Sequence, residues 1–338
     1  MSIADDPEQP RGYLAMNAYA RQQAFSDAAV ARLRRIADVD IGECITDFDA
    51  GGDALAQARF LITGWGCPML TPEVLDRMPR LELIAHAAGT VKHHVPAEAW
   101  RRGIAVSSAA DANAEPVAQY TYAMVVLAGK RALSGAGRYA QQGQWPSEDW
   151  RGAASLVGKT VGIVGASRIG RRVLRLLEGH GLELLLSDPY CDDAAAAAMG
   201  ARLVDLDELC RRSDIVSIHA PQLPQTRHLI DARRLDLMVD DAVLINTSRG
   251  SLVDTEALTQ RCKGGRLDAI LDVTDPEPLP AQHPLLRLPN VLVTPHVAGA
   301  QGREVMALGE YAVAEVARFY TGEDLGGAVS EADLATMA

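Results

Sequence analysis

The sequence predicts an α/β protein with parallel sheets, divided into two domains. The chain has 338 residues, which is more than a single hydrophobic core usually organises. Short apolar segments alternate with helix-like segments in two separate blocks, a pattern typical of parallel sheets that are covered by helices on both faces. An alanine-rich, helix-like stretch at 113–138 lies between the blocks. The two blocks are therefore predicted to form two sheet domains.

Composition and charge narrow the possible classes of protein. Hydrophobic residues make up 48% of the chain and charged residues 23%, as in globular proteins. A net charge of −11 argues against a nucleic-acid partner and an anionic membrane surface, because no broad basic surface is available. No segment approaches the roughly 18 apolar residues of a membrane span, and the segment 1–10 lacks the apolar centre of a signal peptide. The five scattered cysteines favour a reduced, cytoplasmic protein.

The first block extends from about 41 to 108. Its predicted strands are 60–63, 81–85 and 104–107, with short helices at 71–78 and 96–102. The stretch 113–138 follows this block and is apolar at helical spacing. It is predicted to be one buried helix that ends at the segment 141–146.

The second block extends from 160 to 294 and is followed by a helix predicted at about 303–320. Its predicted strands begin near Thr160, Leu182, Asp214, Ala242, Leu267 and Val291. Six strands with intervening helices are enough for a complete doubly wound, dinucleotide-binding fold. The alanine-rich run at 192–200 is predicted to be a surface helix.

The first strand of the second block leads into a turn that contains glycines. Gly165-Ala-Ser-Arg-Ile-Gly170 precedes a helix predicted at 171–179. Such a turn brings a pyrophosphate against backbone N–H groups at the positive end of a helix. Gly165 permits the tight turn, and Gly170 lets the helix pack close to the strand. Ser167 replaces the middle glycine, so both a weaker grip on the phosphates and a new hydroxyl contact to them are open.

An acidic residue ends the next predicted strand. Asp188 lies 18 residues after Gly170, close to the spacing of a carboxylate that binds the ribose hydroxyls. A negative charge there repels a 2′-phosphate, so NAD is predicted in preference to NADP. The alternative is that Asp188 is a turn residue before Pro189. Arg168 can add a charge-assisted hydrogen bond to the phosphates.

Three polar residues, Arg249, Glu277 and His296, come shortly after the last three predicted strands. In an open parallel sheet, ligands bind outside the carboxyl ends of the strands. A cation, a carboxylate and an imidazole at that edge can bind an acid, polarise a carbonyl group and transfer a proton. Taken singly, Arg249 fits a capping or ion-pair residue and His296 a structural histidine. Together, the three residues predict an active site.

Longer motifs lie in five segments of the chain. These segments are 113–121, 219–230, 244–254, 271–278 and 294–299. In this order they resemble the D-isomer-specific 2-hydroxyacid dehydrogenases, a family that includes glyoxylate/hydroxypyruvate reductases and 3-phosphoglycerate dehydrogenases. The resemblance implies an NAD-dependent enzyme that interconverts a 2-oxo acid and a D-2-hydroxy acid. It also implies a Rossmann domain at 113–304, a flavodoxin-like substrate domain at 1–112 and 305–338, and a homodimer supported by the helix from Asn113.

The resemblance implies roles for individual residues. The family's catalytic arginine, glutamate and histidine fall on Arg249, Glu277 and His296. The arginine is expected to bind the substrate carboxylate and carbonyl, the histidine to give or take a proton, and the glutamate to raise the pKa of the histidine. The residues expected around NAD are Gly165, Ser167, Arg168, Ile169, Gly170, Asp188, His219, Pro221, Thr226, Thr247, Ser248, Asp272 and Thr121.

The predicted substrate loop departs from the family pattern. The backbone N–H groups of Ala87, Ala88 and Gly89 are expected to surround the substrate carboxylate. Lys92 stands where the family usually has an acid, so His86 and Lys92 are expected to tune substrate selectivity.

The histidine pair 93–94 and Asp272 have alternative interpretations. The adjacent His93 and His94 could be metal ligands, but no third ligand follows at suitable spacing. A surface loop without a metal is therefore predicted. Asp272 can replace Glu277 as the partner of His296, although the family pattern favours Glu277.

Two other functions fit parts of the sequence. A non-catalytic, NAD(H)-responsive binding protein on the same fold agrees with Ser167 and the altered substrate loop, whereas the complete catalytic trio argues against it. A formate-oxidising relative is disfavoured because the matching family carries glutamine at the position of Glu277. Phosphoglycerate needs several cations near its phosphate and the loop offers only Lys92, so a smaller 2-oxo acid is predicted as the substrate.

Overall fold

A computed structural model describes most of the chain. The described residues are 9–143, 145, 147–335 and 337. The chain divides into two compact units. Unit 1 comprises the described residues of Met1–Asn113 and Ala300–Met337, and unit 2 comprises those of Ala114–Gly299. The predictions for the segments 1–10 and 141–146 lie partly outside the described residues.

Strands and α-helices alternate along most of the chain. The strands are β1 (Arg11–Ala15), β2 (Asp38–Ile45), β3 (Phe60–Thr63), β4 (Leu83–His86), β5 (Ala105–Ser108), β6 (Thr160–Val164), β7 (Glu183–Ser187), β8 (Arg202–Leu203), β9 (Ile215–Ile218), β10 (Ala242–Asn246), β11 (Leu267–Leu271) and β12 (Val291–Val293). The α-helices are α1 (Ala18–Ala24), α2 (Asp27–Ile36), α3 (Pro72–Asp76), α4 (Glu98–Arg101), α5 (Ala110–Gly129), α6 (Ala132–Gln142), α7 (Glu148–Ala153), α8 (Arg168–Leu177), α9 (Asp193–Ala198), α10 (Leu206–Arg212), α11 (Ala232–Leu237), α12 (Thr255–Lys263) and α13 (Val305–Thr321).

Unit 1 contains a parallel sheet in the strand order β2-β1-β3-β4-β5, which is the order of flavodoxin-like folds. Alternate residues of β3 pack on opposite faces of this sheet. Phe60 and Ile62 pack with residues of α2 and α13, whereas Leu61 packs with residues of α3 and α4. Burial on both faces explains the uninterrupted apolar run that predicts this strand.

The strands β3, β4 and β5 lie where the sequence predicts them, whereas β1 and β2 are not predicted. The edge strand β2 alternates between exposed and buried residues at its start, so it lacks a continuous apolar run. The strand β1 begins with Arg11 and Gly12, which give no strand signal. The structure explains the glycine, because a Cβ atom there would lie 2.0 Å from the ring of Phe60.

Unit 2 contains a parallel sheet in the order β12-β11-β10-β9-β6-β7-β8. The chain builds outward from β6 in one direction and then from β9 in the other, which is the doubly wound arrangement. Ligands of such sheets bind at the carboxyl ends of the strands, where the order reverses. The α/β prediction is confirmed, and only the two-residue edge strand β8 is absent from the strands predicted for this sheet.

The prediction of one long helix at 113–138 is wrong. The stretch forms two helices, α5 and α6, that are separated by Lys130 and Arg131. Arg131 has a φ of 50°, a left-handed conformation that ends the helical path. Gly129 precedes this break, and a Cβ atom there would lie 2.6 Å from Leu156 Cδ1. Close packing with Leu156 therefore selects glycine where the first helix ends.

Three properties of the described residues bear on the class of protein. None of their helices combines the length and the apolar character that crossing a lipid bilayer requires. The five cysteines are free thiols. Over the described ranges, no three His, Cys, Asp or Glu side chains are grouped so that they could hold a metal ion.

Candidate active site

The glycine turn between β6 and α8 depends on the absence of two side chains. Gly165 has a φ of 100°, and a Cβ atom there would lie 2.8 Å from the backbone nitrogen of Ala220. A Cβ atom on Gly170 would lie 2.1 Å from the carbonyl oxygen of Gly165. Glycine is therefore required at the first position by backbone conformation and close approach, and at the second by close approach alone.

Ser167 caps the helix that follows this turn. Its Oγ accepts a hydrogen bond of 3.2 Å from the N–H of Gly170, and its φ of −66° suits any residue. This cap starts α8 at Arg168, three residues before the predicted start. No described residue accepts a hydrogen bond from the N–H groups of Ser167 and Ile169. The turn therefore presents open N–H groups at the positive end of a helix, as a pyrophosphate requires.

Asp188 links the end of β7 to the glycine turn. Its Oδ2 accepts a hydrogen bond of 2.6 Å from the N–H of Ala166, and its Oδ1 accepts one of 2.7 Å from the N–H of Tyr190. The second bond is the turn contact that the alternative interpretation describes. Each carboxylate oxygen keeps a further lone pair, so ribose hydroxyls can still donate to it.

The side chains of His219 and Thr226, which are predicted near the adenosine, form hydrogen bonds within or next to their own loop. The ring of His219 is buried, and its Nε2 lies 2.9 Å from Ser217 Oγ. Burial lowers the pKa of His219 to about 3, so its imidazole is held in the neutral form, and its contact with the nucleotide stays a prediction. The hydroxyl of Thr226 donates to the carbonyl of Pro221 at 2.7 Å and accepts from the N–H of Leu223 at 2.8 Å.

A buried pair of hydroxyl groups joins α5 to the end of β10. Thr121 Oγ1 and Thr247 Oγ1 lie 2.9 Å apart. One hydroxyl donates to the other, so one O–H group stays available to a ligand. The neighbouring Ser248 hydroxyl donates to the carbonyl of Ile218 at 2.9 Å.

Arg249 lies shortly after β10, in a turn that its neighbour Gly250 holds against the segment that follows β11. A Cβ atom on Gly250 would lie 1.9 Å from the carbonyl carbon of Thr274, so only glycine fits there. Arg249 Nη1 donates to the carbonyl of Ser248 at 2.7 Å, and its side chain makes no other hydrogen bond within the described part of the chain. Burial lowers the pKa of Arg249, and the negative charge of Glu277 opposes this shift. The remaining N–H groups can bind an anionic ligand.

His296 and Glu277 form a direct pair. His296 Nδ1 lies 2.7 Å from Glu277 Oε1, and both side chains are exposed. Because the carboxylate only accepts, the proton of this contact lies on Nδ1. The other ring nitrogen, Nε2, has no partner among the residues that the structure describes and is the one that can exchange a proton with a ligand.

Asp272 holds the loop that carries His296. Its Oδ1 accepts from the hydroxyl of Thr294 at 2.6 Å and from the N–H of Val297 at 2.8 Å, and its Oδ2 accepts from the N–H of Ala298 at 2.9 Å. His296 has a φ of 55°, a conformation that costs a non-glycine residue about 1–3 kcal/mol and persists only where the surroundings hold it. Asp272 supplies these restraints and does not pair with the imidazole. This positioning contact is absent from the sequence-based prediction, and its only signal is an acid at a strand end.

The comparison with protein families decides the assignment. Residues 123–298 match the model of the D-isomer specific 2-hydroxyacid dehydrogenase, NAD binding domain. The chain belongs to this family. The matched residues lie in unit 2, so the predictions of a Rossmann domain, of NAD as cofactor and of a 2-hydroxyacid dehydrogenase or reductase are confirmed.

Individual members of the family show how much of the chain is shared. The glyoxylate reductase of Korarchaeum cryptofilum is 34% identical over 256 residues, which are 74% of this chain and 76% of that protein. The D-3-phosphoglycerate dehydrogenase of Methanocaldococcus jannaschii is 32% identical over 297 residues, which are 87% of this chain but only 56% of that protein. The crystal structure of TT0316 protein from Thermus thermophilus has a TM-score of 0.75 and 31% identity, covering 95% of this chain and 100% of that chain.

Unit 1 carries the loop that the family resemblance connects with the substrate. Ala87 N–H donates to the carbonyl of Thr63 at 2.8 Å, and the hydroxyl of Ser108 donates to the carbonyl of Gly89 at 2.9 Å. Among the described residues, the N–H groups of Ala88 and Gly89 have no acceptor. Two open N–H groups on a loop that is fixed at both ends can bind a carboxylate.

Two histidines of unit 1 lie in its interior. The hydroxyl of Thr63 contacts His86 Nδ1 at 2.9 Å and His94 Nε2 at 3.2 Å. Burial lowers the pKa of His86 well below its ordinary value and that of His94 to about 4. The prediction of a surface loop is wrong for His94, whereas His93 is exposed. The ring of His86 is enclosed as well, and its role in substrate selectivity stays a prediction.

Proposed function

We propose that the protein interconverts a 2-oxo acid and a D-2-hydroxy acid with NAD, and that Arg249, Glu277 and His296 are its catalytic residues. The contact of 2.7 Å between His296 Nδ1 and Glu277 Oε1 carries this proposal. An imidazole beside a carboxylate can hold a proton and release it from its second nitrogen. The partly buried guanidinium of Arg249, with N–H groups to spare, adds a binding group for an acid.

The residues of unit 2 fit the cofactor. Gly165 leaves no room for a side chain at the turn, and the open N–H groups of Ser167 and Ile169 can bind a pyrophosphate. Asp188, with lone pairs left on both carboxylate oxygens, can accept from ribose hydroxyls, and its charge disfavours a 2′-phosphate. The nicotinamide cofactor, when bound, supplies or accepts the hydride.

Arg249, Glu277 and His296 have separate roles in the proposed reaction. Arg249 binds the carboxylate and the carbonyl oxygen of the 2-oxo acid through a fork of hydrogen bonds. His296 donates the proton on Nε2 to the carbonyl oxygen, and in the oxidative direction the neutral ring takes the proton of the hydroxyl group. Glu277, at Nδ1, stabilises the protonated ring and fixes its orientation.

The substrate carboxylate is proposed to bind the open N–H groups of Ala88 and Gly89, which makes unit 1 the substrate domain. The support comes from the family resemblance and from the absence of an acceptor for these groups among the described residues.

The binding-protein alternative loses one of its supports. Ser167 has an ordinary φ and caps α8, so it replaces the usual glycine without backbone strain. The homodimer supported by α5 and the cytoplasmic location stay predictions. Sedimentation of the purified protein is the measurement for the dimer.

The proposed function is tested by NADH oxidation with glyoxylate, hydroxypyruvate, pyruvate and longer 2-oxo acids. NADH binding is measured in parallel by fluorescence, and chiral chromatography identifies the enantiomer of the product. We expect turnover with at least one acid and a D product. Tight NADH binding without turnover of any acid would contradict the proposal and favour the binding protein.

A further inference from the structure

Two loops leave the carboxyl edge of the unit 1 sheet side by side. Loop A is the segment 64–69, which follows β3, and loop B is the segment 87–93, which follows β4. These strands are neighbours in a parallel arrangement, and their last residues, Thr63 and His86, are in register. The two loops therefore begin at the same level of the sheet edge.

Hydrogen bonds tie the loops together at both ends. At their start, the N–H of Ala87 donates to the carbonyl of Thr63 at 2.8 Å. Beyond their end, the N–H of Leu70 donates to the carbonyl of His94 at 2.9 Å. Loop A thus runs beside loop B, which carries the open N–H groups proposed to bind the substrate carboxylate.

A rigid turn presents Trp65 from loop A. The N–H of Cys67 donates to the carbonyl of Gly64 at 3.0 Å, and Gly66 has a φ of 82°, the conformation that glycine favours at the third position of such a turn. Asn17 N–H donates to the carbonyl of Trp65 at 2.9 Å. The backbone of the tryptophan is therefore held from both sides.

Loop A offers apolar surface without charge. Trp65 is 41% exposed and Met69 is 53% exposed, and no residue of the loop is ionic. The ammonium group of Lys92, in loop B, donates to the carbonyl of Met337. A phosphate on the substrate would therefore meet no cation from loop A, and Lys92 of loop B already gives one of its three N–H groups to a backbone carbonyl.

We propose that Trp65 and Met69 bind the side chain of the substrate, and that the substrates are 2-oxo acids with an apolar side chain, branched aliphatic or aromatic. This inference rests on the proposed function, with the substrate carboxylate on the N–H groups of Ala88 and Gly89. Glyoxylate has no side chain to cover this surface. A phosphorylated side chain would lose bound water against the apolar side chains of Trp65 and Met69, and the apolar atoms there would form no hydrogen bond in its place.

The test compares kcat/KM for glyoxylate, 3-phosphooxypyruvate, phenylpyruvate and 4-methyl-2-oxopentanoate. We expect the two apolar acids to exceed glyoxylate by about 100-fold, because each methylene in an apolar site changes kcat/KM by roughly 10–200-fold. Trp65→Ala is expected to lower kcat/KM for phenylpyruvate by about 10–100-fold while kcat/KM for glyoxylate stays within about threefold.

Two further variants keep the test decisive. Trp145→Ala, at a tryptophan that is 81% exposed in unit 2, is the matched control and is expected to change no ratio. Met69→Gln replaces Trp65→Ala if the latter does not fold, and is expected to reduce the same preference. Turnover without preference for apolar acids, or a preference that both loop variants retain, overturns this inference alone. No turnover with any acid, despite NADH binding, overturns the proposed function and this inference with it.

Discussion

Histidines near the carboxyl edges of the two sheets lie in opposite environments. In unit 2, His296 is 51% exposed and its Nδ1 lies 2.7 Å from a carboxylate. In unit 1, His86 and His94 are 4% and 6% exposed and share the hydroxyl of Thr63. No carboxylate of the described residues hydrogen-bonds to either of these two rings.

This difference shows what separates a histidine that can transfer protons from one that stabilises the fold. Burial without an opposing charge favours the neutral ring, which is why the pKa values of His86 and His94 are lowered. An accessible ring beside a carboxylate can carry a proton to a ligand and recover it from solvent. Position at a strand end is common to both regions, so the environment determines the role.

The largest effect is expected from His296→Ala. Without Nε2, no group is left at this position to give the proton to the carbonyl oxygen, so kcat should fall about 10³-fold. The Kd of NADH should stay within about twofold, because the cofactor is proposed to bind at the glycine turn. Steady-state NADH oxidation and fluorescence titration measure the two quantities.

The control for this variant is His283→Asn, which keeps the contact to the N–H of Leu285 that the histidine makes in unit 2. This variant should leave kcat unchanged. If kcat of His296→Ala stays within about tenfold of the unaltered protein, His296 is not the acid, and the contrast between the two regions fails.

A smaller effect, on stability, is expected from the buried pair of unit 1. The pKa of His94 is lowered from 6.5 to about 4 by burial and, less strongly, by the charge of His93. Above pH 6.5 the ring is neutral in the folded and unfolded chain. Between pH 6.5 and 4 the unfolded chain binds a proton at His94 that the folded chain does not bind, so His94 alone should lower the free energy of unfolding of unit 1 by about 3 kcal/mol. Below pH 4 the contribution of His94 to this loss should stop.

His94→Gln tests this by keeping a polar group beside Thr63 without a titrating ring. Hydrogen exchange of the amides of β3 and β4 measures the opening free energy of unit 1, corrected for the intrinsic exchange rate at each pH. The variant should lose less of this free energy than the unaltered protein between pH 6.5 and 4.5. Equal losses in both proteins would show that His94 does not carry the pH dependence.

Local patterns predict much of unit 2. The strands β6 and β10 are continuous apolar runs because they are buried on both faces, and the residues after such runs meet at one edge of a parallel sheet. Gly165 and Arg249 are predictable for this reason. The break between α5 and α6 is not, since arginine has no preference for the left-handed conformation that Arg131 adopts, and Gly129 packs against Leu156, which is distant in sequence.

The roles of several site residues depend on contacts that the sequence does not predict. The burial of His94 depends on Thr63, which is 31 residues away and reaches the ring only when the neighbouring loops pair. The role of Asp272 is equally hard to predict from the sequence. Its partners include the N–H groups of Val297 and Ala298, and backbone groups give no sequence signal. Pairing of His296 with Glu277 is predictable only through the family pattern.

The smallest effect is expected from Glu277→Gln. This variant tests whether His296 differs from the histidines of unit 1 because of the neighbouring negative charge or because of its exposure to solvent. Glutamine keeps an oxygen that can accept from His296 Nδ1, but it removes the negative charge beside the ring. The protonated ring loses the stabilising charge, so the reductive kcat/KM at neutral pH should fall about tenfold. The control is Glu256→Gln, at an exposed helix position where the glutamate contacts Gln260. If kcat/KM of Glu277→Gln matches that of the control, exposure alone keeps His296 active, and the carboxylate only orients the ring.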